Sequence, residues 1–98
     1  MELIVRVVIR GRVQGVGYRA WTEYAAAERG IAGWVRNRRD GAVEALFAGI
    51  EDDVRAMIEA CREGPPGARV QAIDQLAAGA DDLVLRRGGE TFSVLSTV

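Results

Sequence analysis

The residues with the means to do chemistry gather in one stretch, Gly11 to Arg19, which reads GRVQGVGYR. It lies between an alternating apolar run and a segment of helical pattern, so its glycines fall where a strand hands over to a helix. The first N–H groups of a helix have no intrahelical partner and stand at the positive end of its dipole, where proteins hold phosphate and carboxylate groups. Gly15 and Gly17 allow positive φ, which lets successive N–H groups converge on one point. Gln14, Gly15, Val16, Gly17 and Tyr18 are therefore the candidate anion-binding segment. Arg19 sharpens the reading. A cation in a first helical turn opposes the dipole at a cost of about 0.3–1 kcal/mol, and an anion between it and the helix start would remove that cost. A solvated arginine whose penalty is screened away is the bland alternative.

Asn37 is the second candidate. It closes the segment Trp34 to Asn37, which has a strand pattern in which asparagine is disfavoured. A carboxamide at a strand end could hold a water through its donor and acceptor groups. Equally, it could be a turn-former beside Asp40-Gly41. Cys61 falls on an apolar helical stripe with no basic neighbour in sequence and reads as a small buried hydrophobe. Arg36, Arg38 and Arg39 form a basic patch that reads as solvated, able at most to draw in an anion.

What the chain lacks narrows the chemistry further. It has no histidine, and all 13 basic residues are arginine. The commonest general base and metal ligand is missing, and so is the lysine of ATP-binding loops. Glu51, Asp52 and Asp53 read as helix-start charges and not as a metal site. A net charge of −1 gives no bulk reason to bind nucleic acid or an anionic membrane. No apolar run approaches the ~20 residues of a membrane span, and no basic segment followed by an apolar signal region opens the chain. With Cys61 as the only cysteine, a reducing cytoplasm is the expected compartment.

The elements that must position these residues follow from periodicity. Leu3, Val5, Val7 and Ile9 give one wholly apolar face, the mark of a central strand. A helix is predicted from about Tyr18 to Arg29, with Trp21, Tyr24 and Ala25 buried and Gly30 at its C-terminal cap. Ala32 to Arg38 and Ala42 to Ala48 form a hairpin about Asp40-Gly41, with Val43, Ala45 and Phe47 on one face. A second helix, about Glu51 to Glu63, buries Val54, Met57, Ile58 and Cys61 and stops at Gly64-Pro65-Pro66-Gly67. Arg69 to Leu76 reads as a strand, Ala77 to Glu90 as a loop, and Thr91 to Ser96 as a closing strand. The order suits one α+β domain over residues 1–98, a ferredoxin-like β-α-β-β-α-β sandwich with both helices on one face of a mostly antiparallel sheet. Strands one and three take its centre, and the extra C-terminal strand has no predicted place.

Gly15 to Ala20 also fits the dinucleotide pattern G-x-G-x-x-A, but the chain is too short for a doubly wound sheet and no acid follows to meet a ribose. No Gly-Lys-Ser/Thr follows to make an ATP-binding loop. An anion cradle of backbone amides is what remains.

Taken together, GRVQGVGYR at Gly11–Arg19, GWVRN at Gly33–Asn37 and DGAVE at Asp40–Glu44 strongly resemble the acylphosphatases. The resemblance runs on through the second helix, Gly64-Pro65 and the closing Phe92–Thr97, with Tyr18 standing where phenylalanine is common and Ala77–Glu90 matching poorly. It implies a ferredoxin-like fold and hydrolysis of small-molecule acyl phosphates to carboxylate and inorganic phosphate, without metal, cofactor or covalent intermediate. It implies that Arg19 binds the phosphoryl group and that Asn37 orients the attacking water. A monomer is the expected state. Two other classes compete. One is an RNA-recognition domain of the same element order, for which Ala42–Ala48 offers only one aromatic and an acid. The other is a catalytically idle anion-binding domain.

Overall fold

The computed structural model describes all of residues 1–98. Its elements are β1 (Glu2–Arg12), α1 (Tyr18–Glu28), β2 (Ala32–Asn37), β3 (Val43–Ile50), α2 (Glu51–Cys61), β4 (Arg69–Ala77), a short 3-10 helix (Ala80–Leu85) and β5 (Phe92–Val94). The sheet order is β4-β1-β3-β2-β5, so β1 and β3 hold the centre as expected. β1 pairs antiparallel with β3 and β4, and β2 pairs antiparallel with β3. β5 finds its place at the outer edge, parallel to β2. Consecutive Val7, Val8 and Ile9 are all buried, which is the signature of a strand covered on both faces.

One face of the sheet carries both helices. Val7, Ile9, Val43, Ala45 and Phe47 point toward them, and the α2 stripe Val54, Met57, Ile58 and Cys61 fills the core from above. α1 buries Tyr18, Thr22, Ala25 and Ala26. Tyr24, expected inside, is 67% exposed, because the buried stripe runs at i, i+4, i+7 and i+8 from Tyr18 and passes it by. Trp21 is only partly buried, edge-on to Tyr18 at 5.4 Å. Gly30 ends α1 as predicted, with φ +66 and the N–H groups of Gly30 and Ile31 donating to the carbonyls of Ala27 and Ala26.

The segment Ala77–Glu90 is not a plain loop. Its 3-10 helix folds against the helix-free face, where the Trp34 indole Nε1–H donates to the Asp82 carbonyl at 2.8 Å and the ring is 1% exposed. On the same face Glu44, 3% exposed, is held between Arg6 (3.1 Å) and Arg36 (2.8 Å), and Arg36 lies over Trp34. The predicted basic patch is thus mostly spoken for: Arg36 pairs with Glu44 and Arg38 with Asp40. Pairing Glu44 across from Arg36 is what lets a carboxylate lie buried here at all.

Candidate active site

β1 and β2 run parallel, each antiparallel to β3 between them, so their C-terminal ends share one edge of the sheet. Ile9 and Asn37 both pair with Val43, which sets them on one rung, two strand spacings or roughly 10 Å apart. The loop leaving β1 and the amide ending β2 are therefore neighbours by topology. Asn37 shares the helix-facing side with Val43, the side from which α1 begins. Its side chain is half-buried and has no hydrogen-bond partner within the protein.

Val13, 1% exposed, roots the glycine loop in the core. Gly15 and Gly17 then take φ of +75 and +78, and a Cβ at either would meet nothing within 4 Å. Glycine is needed at both for backbone shape alone, since no neighbour crowds them. Gly17 is the N-cap of α1 in a left-handed conformation, with no side-chain cap, and its carbonyl accepts the first intrahelical bond, from Trp21, at 3.0 Å. The N–H groups of Gly15, Val16, Gly17, Tyr18 and Arg19 have no acceptor in the protein. Five successive donors at a helix start, with no acid in that first turn, make a local positive site.

Arg19 is half-buried in this turn, and its guanidinium makes no ion pair or hydrogen bond. Two of the candidate residues do more than line the cradle. Gln14 turns its carboxamide inward, where Nε2 donates to the carbonyls of Arg38 (2.7 Å) and Ala42 (2.8 Å). The loop that carries the amides is thereby tied to the turn that follows Asn37. Tyr18 is 2% exposed, so only its N–H can face an anion, and its hydroxyl donates to the Cys61 carbonyl at 2.5 Å. Gly64, with φ +65, leaves room for that ring: a Cβ there would lie 2.5 Å from it. Burial pushes the Tyr18 phenol well above its usual range, with Cys61 adding to the effect. Burial likewise pushes the Cys61 thiol up to about 12, which leaves it no nucleophilic role near neutrality.

Sequence reasoning missed the support from the C-terminal residues. The Val98 N–H donates to the Asn37 carbonyl (3.1 Å), and the Val98 carbonyl accepts from the Arg39 N–H (2.7 Å). The Gln14 ties had a detectable signal, since a carboxamide in a glycine and valine loop must find partners if it is covered. The Val98 contacts had none, because they depend on where β5 docks. No group of three or more metal-ligating His, Cys, Asp or Glu side chains is gathered anywhere.

A family model described as Acylphosphatase matches residues 5–83. The chain belongs to the acylphosphatase family. It is 63% identical over 95 residues to the acylphosphatase of Bradyrhizobium diazoefficiens, covering 97% of this chain and 96% of that one. It is also similar to the crystal structure of acylphosphatase from Bacillus subtilis, with a TM-score of 0.82 and 36% identity over 97% of this chain and 99% of that one. An acylphosphatase structure from Coxiella burnetii gives a TM-score of 0.83 at 30% identity, covering 96% of this chain and 93% of that one. The ferredoxin-like α+β architecture is common to this acylphosphatase family and to the sheet described above.

Proposed function

We propose that this chain hydrolyses acyl phosphates to a carboxylate and inorganic phosphate, using Arg19 and the loop amides as the phosphoryl clamp and Asn37 as the holder of water. The observation that carries the reading is the run of five unsatisfied N–H groups beside an unpaired guanidinium, on the edge where a free carboxamide also stands.

The chemistry suits a site without histidine. The leaving group is a carboxylate, whose conjugate acid has a pKa of roughly 4 by analogy with side-chain carboxyls, so it departs without a proton. Phosphoryl transfer then asks mainly for positioning and charge stabilisation. The N–H groups of Gly15 to Arg19 and the Arg19 guanidinium hold the three equatorial oxygens as charge spreads over them. Asn37 accepts a hydrogen bond from water through Oδ1 and keeps it in line with the breaking P–O bond. The water's proton passes to a phosphoryl oxygen, since no side-chain base stands nearby. Gln14 keeps loop and hairpin in one geometry while this happens. A phosphate monoester would expel an alkoxide and need an acid, which the site does not supply.

The test is phosphate release from acetyl phosphate and from p-nitrophenyl phosphate, each with EDTA present. Turnover of the first and not the second supports the reading; no release from acetyl phosphate leaves an idle anion-binding domain. We place the reaction in the cytoplasm, where a single buried thiol stays reduced, and assign it to a monomer folded as one unit over residues 1–98.

A further inference from the structure

Of the 13 arginines, six are in ion pairs and three more donate to main-chain carbonyls. The four left without any partner are Arg12, Arg19, Arg39 and Arg69. All four stand at the same edge of the sheet: the end of β1, the first turn of α1, the β2–β3 turn and the start of β4. The acids near them in sequence, Glu23, Asp40, Glu63 and Asp74, pair with none of them. Arg19 belongs to the phosphoryl clamp, but one phosphoryl group does not need the others.

Arg12 and Arg69 are directly opposite each other in the β1–β4 pairing. Like charges facing across a strand pair are destabilising, and here an irregularity creates the clash. After Arg10 pairs with Ala72 the register skips Gln71, so that Gly11 meets Val70 and Arg12 meets Arg69. An unbroken ladder would have set Arg12 against Val70. Gly11 permits the shift, with φ +130 and a backbone approach so close that a Cβ would fall 2.2 Å from the Arg69 carbonyl oxygen. Bulges of this kind re-aim side chains beside active sites.

The direction of the reaction says what lies there. In-line displacement puts the water and the leaving group on opposite sides of phosphorus. Asn37 ends β2, and β4 lies on the far side of β1 from it. The acyl group must therefore depart toward β4. There the surface has a shallow, open depression of about 620 Å3 lined by Arg62 to Val70, with Arg69 and the acid Glu63 both on its rim. The depression borders the glycine loop, for a side chain at Gly67 would start 4.0 Å from Val16 Cγ1.

We propose that Arg12 and Arg69 form an acyl-group subsite that selects acyl phosphates carrying a second anionic group, such as the monoacyl phosphate of a dicarboxylic acid. This deepens the proposed activity and rests on it. Succinyl phosphate and butyryl phosphate share chain length and differ in one terminal carboxylate, so the ratio of their kcat/KM values reads the subsite. At low ionic strength the ratio is about fivefold in favour of succinyl phosphate, and it falls toward unity in Arg12→Gln/Arg69→Gln. In Arg69→Glu it inverts, while the melting temperature rises as Arg12 gains a partner. Arg55→Gln, on the far part of α2 and paired with Glu51, keeps the ratio. A wild-type chain that hydrolyses butyryl phosphate without preferring succinyl phosphate overturns the subsite alone. So does a preference that survives the double substitution, or one that Arg55→Gln lowers equally. A chain that turns over neither compound overturns the activity, and the subsite with it.

Discussion

The two helices are the same length, follow strands of one sheet and pack on one face, yet they begin in opposite ways. α2 starts with Glu51, Asp52 and Asp53, three acids that satisfy the positive end of its dipole. α1 starts with Gly17 and Tyr18, has no acid in its first turn, and carries Arg19 there instead. Neither start has a side-chain cap, but α2 sets its own negative charges beside its N–H groups, and the Glu51 N–H donates to the Met1 carbonyl. The start of α1 is left open, and its N–H groups and its guanidinium all ask for the same thing, an anion from outside. Favourable charge is absent at one helix end and present at the other, the arrangement that the proposed anion site requires.

Replacing Arg19 breaks the contrast most. Arg19→Ala is expected to lower kcat/KM for benzoyl phosphate by about 10³-fold or more and to weaken inhibition by inorganic phosphate. The same change should leave the melting temperature level or slightly higher, because a cation leaves the wrong end of a dipole. An activity loss accompanied by a falling melting temperature would mean that Arg19 is structural. Asn37→Ala should cost about 10²-fold in kcat with phosphate affinity nearly intact. If phosphate affinity falls in step with kcat, Asn37 belongs to the clamp and not to the water.

The place where the helices touch gives a pH test. Tyr18 begins α1, Cys61 ends α2, and both are held neutral by burial. A raised folded-state pKa means that the unfolded chain sheds its proton first as pH rises. Stability is then fully present below pH 9, the ordinary thiol value, and is lost as pH climbs toward about 12. Chemical denaturation at pH 10.5 should show a loss on the order of 2 kcal/mol from the thiol alone, and Cys61→Ser should flatten that slope. Gly17→Ala should cost about 1–2 kcal/mol of stability, from the left-handed conformation and not from a clash. The smallest effect is expected at the other helix. Asp52→Asn/Asp53→Asn should cost a few tenths of a kcal/mol to about 1 kcal/mol and leave phosphate release unchanged.

The elements that carry the proposed site could be read in advance because their patterns are local. The glycine loop, the start of α1 and the β2–β3 hairpin each have their own short-range pattern, and the topology rules then bring Arg19 and Asn37 to one edge. What escaped depends on distant partners. Gln14 had the form of a ligand-binding residue, yet its carboxamide reaches across 24 and 28 residues to fix the hairpin. Arg36 could have been assigned, since the register about Asp40-Gly41 already sets it against Glu44. Tyr24 was misplaced because an aromatic was taken as buried on its type, when the 3.6-residue period turns it outward. No local signal places β5 beside β2 or folds Ala80–Leu85 under the sheet, because both are decided by which apolar surface is left uncovered.

That folded-under segment has a practical consequence. Trp34 is sealed on the helix-free face by a donor bond to Asp82, while Trp21 is only partly covered, beside the loop. The chain thus contains two indoles in different surroundings, one on each side of the sheet. A Trp21→Phe protein would leave a single tryptophan whose emission would redden if that cover were lost, reporting on the helix-free face separately from the edge of the proposed site.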